Sequence, residues 1–318
     1  MPLILARLAF MVLVAFGFCT AANAACTSSS QSLTFTSGSS YDVRSGSIAD
    51  VSGSAGLSCT GSLLSVLGSG YARATMTSAN GFKLGAGGSD LIPYQVSADP
   101  GGTYVFTQGG TIDYMNATLV SLLGLFSNNS FSAPLHGKIT GTPNIAAGTY
   151  TDTLTIQWNY YICNGIQIGQ LCVFYETGTR TVTVNVKLIV SQDCRISAPN
   201  VSFGSAALVS QFQSVSQAVL VDCTKDSSYK VSFSTGNSGS ARPWRSMSDG
   251  AGHSLQYNLY RPDGATIWDD TNPQTSATLG AGGTTPNQLQ SYVAKVNGSQ
   301  VTPPAGSYSD TVSVVISF

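Results

Sequence analysis

The sequence predicts an all-β protein built from two homologous sandwich units in tandem, the second one strand short. Three observations predict this. Apolar and polar residues alternate strictly through Leu154, Ile156, Trp158 and Tyr160, and again through Val182, Val184, Val186, Leu188 and Val190. Period-2 alternation marks strands with one buried face. Next, Ala147-Gly148-Thr149-Tyr150-Thr151-Asp152-Thr153 returns as Ala305-Gly306-Ser307-Tyr308-Ser309-Asp310-Thr311, leading into Val312, Val314, Ile316 and Phe318. Finally, the first copy is followed by a Cys-bounded loop and the strand 181–190, whereas the sequence stops at Phe318 after the second.

Taken in order, residues 1–24 read as an export signal. Arg7 precedes an apolar run from Leu8 to Phe18, and Ala22-Asn23-Ala24 offers a small-x-small cleavage site. Asn23 stands where a lipoprotein signal wants a large aliphatic residue, which argues against lipidation of Cys26. No stretch reaches the roughly 18 apolar residues of a membrane helix, so no transmembrane segment is expected. Cleavage leaves 13 Lys+Arg against 15 Asp+Glu, a net charge of 13 − 15 = −2. Nothing in this balance suggests nucleic acid, which needs a basic patch for its phosphates. The charged fraction is 9%, with Glu176 the single glutamate, and Gly, Ser and Thr abound. That composition suits many short strands joined by turns.

Six cysteines remain after the signal, an even number in an exported chain, which reads as three disulfides. Local repeats choose among the pairings. Cys26 and Cys194 each stand nine residues before a phenylalanine, Phe35 and Phe203, and each is followed by a second cysteine in a strand-like setting. The pairs are Cys26–Cys59, Cys194–Cys223 and, by remainder, Cys163–Cys172. The repeat extends to Tyr94-Gln95-Val96 against Tyr257-Asn258-Leu259, and to Gly137-Lys138-Ile139 against Ala294-Lys295-Val296. The units are expected at 25–190 and 194–318, joined by Ser191-Gln192-Asp193 with limited freedom. No helical periodicity stands out, although Gly124 and its neighbours suit a short turn.

Several motifs together carry a resemblance. They are Val201-Ser202-Phe203-Gly204, Val221-Asp222-Cys223-Thr224, Arg245-Ser246-Met247, Tyr257-Asn258-Leu259-Tyr260, and the closing Gly306-Ser307-Tyr308-Ser309-Asp310-Thr311-Val312. The sequence resembles the spore coat protein U domain family, found in subunits of archaic chaperone–usher pili. The match is specific over 194–318 and looser over 26–190. The resemblance implies immunoglobulin-like sandwiches, the C-terminal one lacking its last strand, with Val312, Val314, Ile316 and Phe318 at the strand-acceptor groove. It also implies three partners: a periplasmic pilus chaperone, an outer-membrane usher, and an adjacent subunit donating a strand. No alternating donor segment precedes Cys26, so the expected place is the pilus tip at the cell surface, as a two-domain adhesin.

Chemistry fares poorly beside display. His136 and His253 are expected in turns, with no Ser-His-Asp, GxSxG or HExxH pattern, so neither enzyme activity nor a cofactor is expected. No CxxC pair suggests a metal. Asp269-Asp270 reads as a turn cap, and Trp244 and Trp268 as core of the second unit. Three apolar stretches of the first unit are candidate surface-binding tips: Leu63, Leu64, Val66 and Leu67; Leu122, Leu123, Leu125 and Phe126; Ile166 and Ile168. Each could equally be an ordinary core strand. The alternatives to a tip adhesin for hydrophobic surfaces are a coat or cap protein without ligand, and a sugar-binding lectin with a concave aromatic pocket.

Overall fold

The computed structural model describes residues 26–60, 70–123, 130–163, 167–168, 171–172, 175–237, 243–283 and 288–318. At 60, 130–131, 163, 167–168 and 171–172 it describes the main chain alone. The signal at 1–24, the stretch Leu63–Leu67, and Leu125, Phe126 and Ile166 lie outside the described residues, and the sulfurs of Cys163 and Cys172 outside the described side chains.

The strands of the first half are β1 (Thr27–Ser28), β2 (Gln31–Thr34), β3 (Gly38–Ser39), β4 (Val51–Thr60), β5 (Tyr71–Ser78), β6 (Lys83–Gly85), β7 (Leu91–Ser97), β8 (Thr111–Asp113), β9 (Ser130–Ile139), β10 (Gly148–Cys163), β11 (Gln167–Ile168), β12 (Leu171–Cys172) and β13 (Tyr175–Ser191). The second half follows with β14 (Cys194–Ser197), β15 (Val215–Cys223), β16 (Lys230–Phe233), β17 (Arg245–Ser248), β18 (Ser254–Tyr260), β19 (Gln274–Thr275), β20 (Gln288–Val296) and β21 (Val314–Ser317).

Alternation in β10 and β13 does what the period-2 rule requires. Leu154, Ile156, Trp158 and Tyr160 are buried on one face, as are Val182, Val184, Val186, Leu188 and Val190. The two strands pair antiparallel from Gly148 opposite Val190 to Cys163 opposite Tyr175. One face of this sandwich runs β1-β4-β9-β7, and the other carries β5, β10, β13 and β2, with β6 joining them. This is the ABED and CFG order of an immunoglobulin-like sandwich, with β10 as F and β13 as G. Tyr150 near the start of β10 supports that reading, because its OH donates to Ala146 O at 2.8 Å, a tyrosine corner. Trp158 is fully buried and its Nε1 donates across the core to Ala55 O.

The second half repeats the plan with a gap. One sheet runs β14-β15-β20-β18-β17, and the other, among the described residues, holds β19-β16-β21. Tyr308 OH donates to Pro304 O at 2.7 Å, so β21 is its F strand. β21 pairs with β16 on one side. Among the described residues, no strand lies along its other side.

Two disulfides staple the openings of the two units, Cys26–Cys59 and Cys194–Cys223, as the repeats suggested. Among the described residues, two six-residue helices are present where no helix was expected: α1 (Ser40–Ser45) and α2 (Ala117–Leu122). Both are too short to show periodicity in sequence, and caps make them. Ser39 and Asp42 form a capping box on α1, which ends at Gly46 with φ 69°. Asn116 Oδ1 accepts from Thr118 N on α2.

The two units touch beyond the short 191–193 connection. Tyr41 OH donates to Asp222 O at 2.7 Å, and the Arg195 guanidinium lies 4.3 Å over the Tyr41 ring. Asn144 Nδ2 donates to Ala281 O, and Lys225 pairs with Asp90. Burial pushes the Asp90 carboxyl up, but the Lys225 ammonium and the Ala146 N–H outweigh it and hold it below the usual range.

The repeated Asp of the closing motif has a structural task. Asp152 is buried and accepts from Ser78 Oγ (2.5 Å), Tyr94 OH (2.6 Å), Asn80 N (3.1 Å) and Thr153 N (2.7 Å). Asp310 accepts from Tyr257 OH (2.7 Å), Asn237 N (2.9 Å) and Thr311 N (2.8 Å), but is half-buried. Asp152→Ala strands several buried donors at once and is expected to destabilise the N-terminal sandwich by about 3 kcal/mol or more. Asp310→Ala, with water at hand, is expected to cost the C-terminal sandwich only about 1 kcal/mol. Urea unfolding followed separately for the two halves checks this; equal losses would contradict it.

Candidate functional site

The gap beside β21 is a groove of about 440 Å³. Phe203 and Val201 form one wall, Val312 and Val314 the other, and Met247, Tyr257, Leu259 and Tyr292 the floor. A second depression of about 270 Å³ continues past Tyr308 toward Phe212 and Leu255. A core that should be closed is open here. In the first unit, Tyr150, Leu154 and Ile156 are at most 1% exposed. Their repeat partners Tyr308, Val312 and Val314 are only half-buried, and Ile316 packs on the core from outside the groove lining. Phe318 is 57% exposed and does not line the groove, so of the four acceptor residues expected, Val312 and Val314 face it.

The first unit shows what fits such a gap. There β13 lies antiparallel to β10, with Val184 opposite Leu154 and Val182 opposite Ile156. On its other side β13 runs parallel to β2, with Val186 opposite Leu33, and Phe35 N donates to Lys187 O. The repeat maps Leu33 and Phe35 onto Val201 and Phe203. Those residues lie in a stretch that joins no strand among the described residues. Among the described residues, both flanks of the missing position therefore lack a strand partner on that side and carry apolar side chains. The role of 199–203 as a wall was legible in the Cys26–Phe35 repeat, although the sequence reading did not draw it out.

The opposite end of the first unit is the second place of interest. Tyr71, opening β5, pairs with Tyr161, and Tyr175, opening β13, pairs with Cys163. Cys59 and Thr60, closing β4, pair with Phe131 and Ser130, opening β9. Cys26 N donates to Glu176 Oε1 at 2.9 Å and joins the two faces there. The strand ends flanking residues 61–69, 124–129 and 164–174 thus gather at one pole. Val190, Gly148 and the 191–193 connection stand at the other. Of the ten tip residues expected, Leu122 is exposed on the last turn of α2, while Leu123 packs inward against the core. Ile168 sits opposite Leu171 in the small β11–β12 hairpin.

Elsewhere the structure corrects two expectations. His136 is not in a turn but within β9, where its Nδ1 meets Ser52 Oγ at 2.9 Å. Trp244 is half-buried, whereas Trp268 is fully buried and donates Nε1–H to Val231 O at 2.7 Å. Asp269 caps its turn, accepting from Thr271 N and Asn272 N. Among the described residues no cluster of three metal-ligating side chains occurs, and no helix is long and apolar enough to cross a membrane.

The sequence matches the family profile of the Spore Coat Protein U domain twice, over 12–157 and 180–315. No curated protein matches it. Among solved structures, it is similar to a CsuC-CsuE chaperone-tip adhesion subunit pre-assembly complex from archaic chaperone-usher Csu pili of Acinetobacter baumannii. That likeness has a TM-score of 0.63 at 20% identity, covering 92% of this chain and 100% of that one. A chaperone-tip adhesin complex of CFA/I fimbriae biogenesis overlaps at TM-score 0.28 and 11% identity, covering 91% of this chain and 97% of that one, and carries no argument.

Proposed function

From the premise that the chain belongs to the Spore Coat Protein U domain family, we propose that it is a tip adhesin of a chaperone–usher pilus. In this reading the C-terminal sandwich (194–318) accepts a strand from the next subunit, and the N-terminal sandwich (25–190) attaches cells to apolar surfaces. The observation that carries it is the contrast between repeat partners: closed core at Leu154 and Ile156, open groove at Val312 and Val314. An exposed edge with unsatisfied backbone groups invites indiscriminate pairing, and a strand laid into it removes that liability. The incoming strand would run antiparallel to β21 and parallel to 199–203, the course β13 takes in the first unit. Before assembly, a periplasmic chaperone would cover the same groove, and an outer-membrane usher would hand it on.

The tip position is supported by the first sandwich being closed. Its own β13 fills the place left open in the second, so among the described residues the first sandwich offers no second acceptor groove. Attachment is supported by the convergence of strand ends at the pole remote from that groove, and by exposed Leu122. Exposed aliphatic side chains cost solubility, and a surface-binding role gives a reason for them. Immunogold labelling of the chain on intact cells tests the reading. Label is expected at fibre ends only; label distributed along the shaft would overturn it.

A further inference from the structure

The joint between the two sandwiches draws on three separate segments of the first unit. Helix α1 supplies one. Its Tyr41, 4% exposed, donates its OH to Asp222 O at 2.7 Å and lies 4.3 Å beneath the Arg195 guanidinium. Beside it, Ser40 Oγ meets Thr224 Oγ1 at 2.7 Å, and both side chains are buried. The residue before β7 supplies the second, where Asp90 pairs with Lys225. The turn before β10 supplies the third: Asn144 Nδ2 donates to Ala281 O at 2.9 Å, and Ala146 forms a β-bridge with Lys225. Ala146 is itself held from both sides. Its N–H donates to Asp90 Oδ2 at 2.8 Å, and its carbonyl accepts the Tyr150 OH of the tyrosine corner.

On the second unit, the loop Gly280-Ala281-Gly282-Gly283 meets this surface with its backbone. A Cβ on Gly282 would stand 2.0 Å from Asn144 Oδ1, and one on Gly283 would stand 2.6 Å from Arg44 Nη1 and 2.7 Å from Asp222 Oδ2. Their φ angles, 63° and 71°, also lie in the left-handed region that favours glycine. The loop therefore approaches the first unit more closely than any side chain would allow. The connection is fastened as well: Asp193 N donates to Thr224 Oγ1 at 2.8 Å, and Thr224 N donates to Asp193 O at 2.9 Å. Domains that meet through polar contacts ordinarily move relative to one another. A single contact leaves a pivot and a line of contacts leaves a hinge. Contacts from three segments, together with a fastened connection, oppose both.

We infer that these contacts lock the two sandwiches into one rigid body, with the 280–283 loop seated on α1 and the 144–146 turn. The groove beside β21 and the far pole of the first unit then keep a fixed relation, with no hinge between them. The lock goes beyond the adhesin reading and does not rest on it, and its test reads orientation and not attachment. Backbone residual dipolar couplings of the full mature protein are expected to fit one alignment tensor across both sandwiches. Tyr41→Ala combined with Gly282→Ala takes the ring from beneath Arg195 and drives a methyl group against Asn144. Each sandwich of that variant is expected to fit a tensor of its own, the two differing in magnitude by about twofold, as for units that move independently. Should that variant fail to fold, Asn144→Ala combined with Lys225→Ala takes its place, with the same result expected. Two tensors in the unaltered protein would overturn the lock. So would one shared tensor in every folded variant, because other contacts would then be fixing the orientation. If the unaltered protein shows one tensor yet does not attach to apolar surfaces, the lock stands and the attachment reading falls.

Discussion

A strand with the sequence of residues 181–190, fused after Phe318 through a flexible linker, is expected to raise the unfolding temperature of the C-terminal sandwich by on the order of 10 °C. The strand is native to the homologous position in the same chain. Val182, Val184, Val186, Leu188 and Val190 would face Val314, Val312, Asp310, Tyr308 and Gly306, the repeat partners of the residues they face in the first unit. Burying each large aliphatic side chain is worth roughly 1.5 to 3 kcal/mol. Ordering the strand costs about 1.5 kcal/mol per residue, partly returned by new backbone hydrogen bonds to β21 and to 199–203. The net is a few kcal/mol, and each kcal/mol moves the midpoint of a domain this size by about 4 °C. Binding of a hydrophobic dye should fall in parallel. The control is the same composition with its apolar residues moved by one position, which turns every side chain to the other face. If the shifted strand stabilises equally, or neither does, the groove is not an acceptor of this register.

Changing Leu64, Leu125 and Ile168 together to serine is expected to abolish attachment to polystyrene while fibres still assemble. These residues lie in the three segments whose flanking strand ends converge at the distal pole. A few aliphatic side chains per tip, at roughly 1.5 to 3 kcal/mol each, suffice for weak adhesion to apolar material before ordering costs. No concave pocket is needed. Salt should matter little, because few charges take part. Single changes should act partially and the triple change completely, measured as cells retained under flow. Undiminished retention by the triple variant would sink the proposal. Inhibition by a simple sugar would favour a lectin instead.

Much of this protein can be read along the chain, because a strand's buried face is a local property. Leu154, Ile156, Trp158 and Tyr160 announce their orientation by period alone, and the motif around Asp152 announces a second unit when it returns around Asp310. Repeats also paired Cys26 with Cys59 and Cys194 with Cys223, since equivalent cysteines have equivalent surroundings. What covers a face is not local. Val312 and Leu154 look alike in sequence, yet one is half-exposed and the other closed, because only one has a β13 across from it. Leu122 and Leu123 differ in fate by one step around a helix too short to show a period. His136 looked like a turn residue beside Gly137, until pairing with Ser52 placed it in β9. The joint between the units escapes any linear reading, since Tyr41, Arg195 and Asp222 meet only when the two sandwiches dock. Alternation determined which side chains turn inward; long-range strand pairing decided which of them find a partner there, and where the chain left room for another.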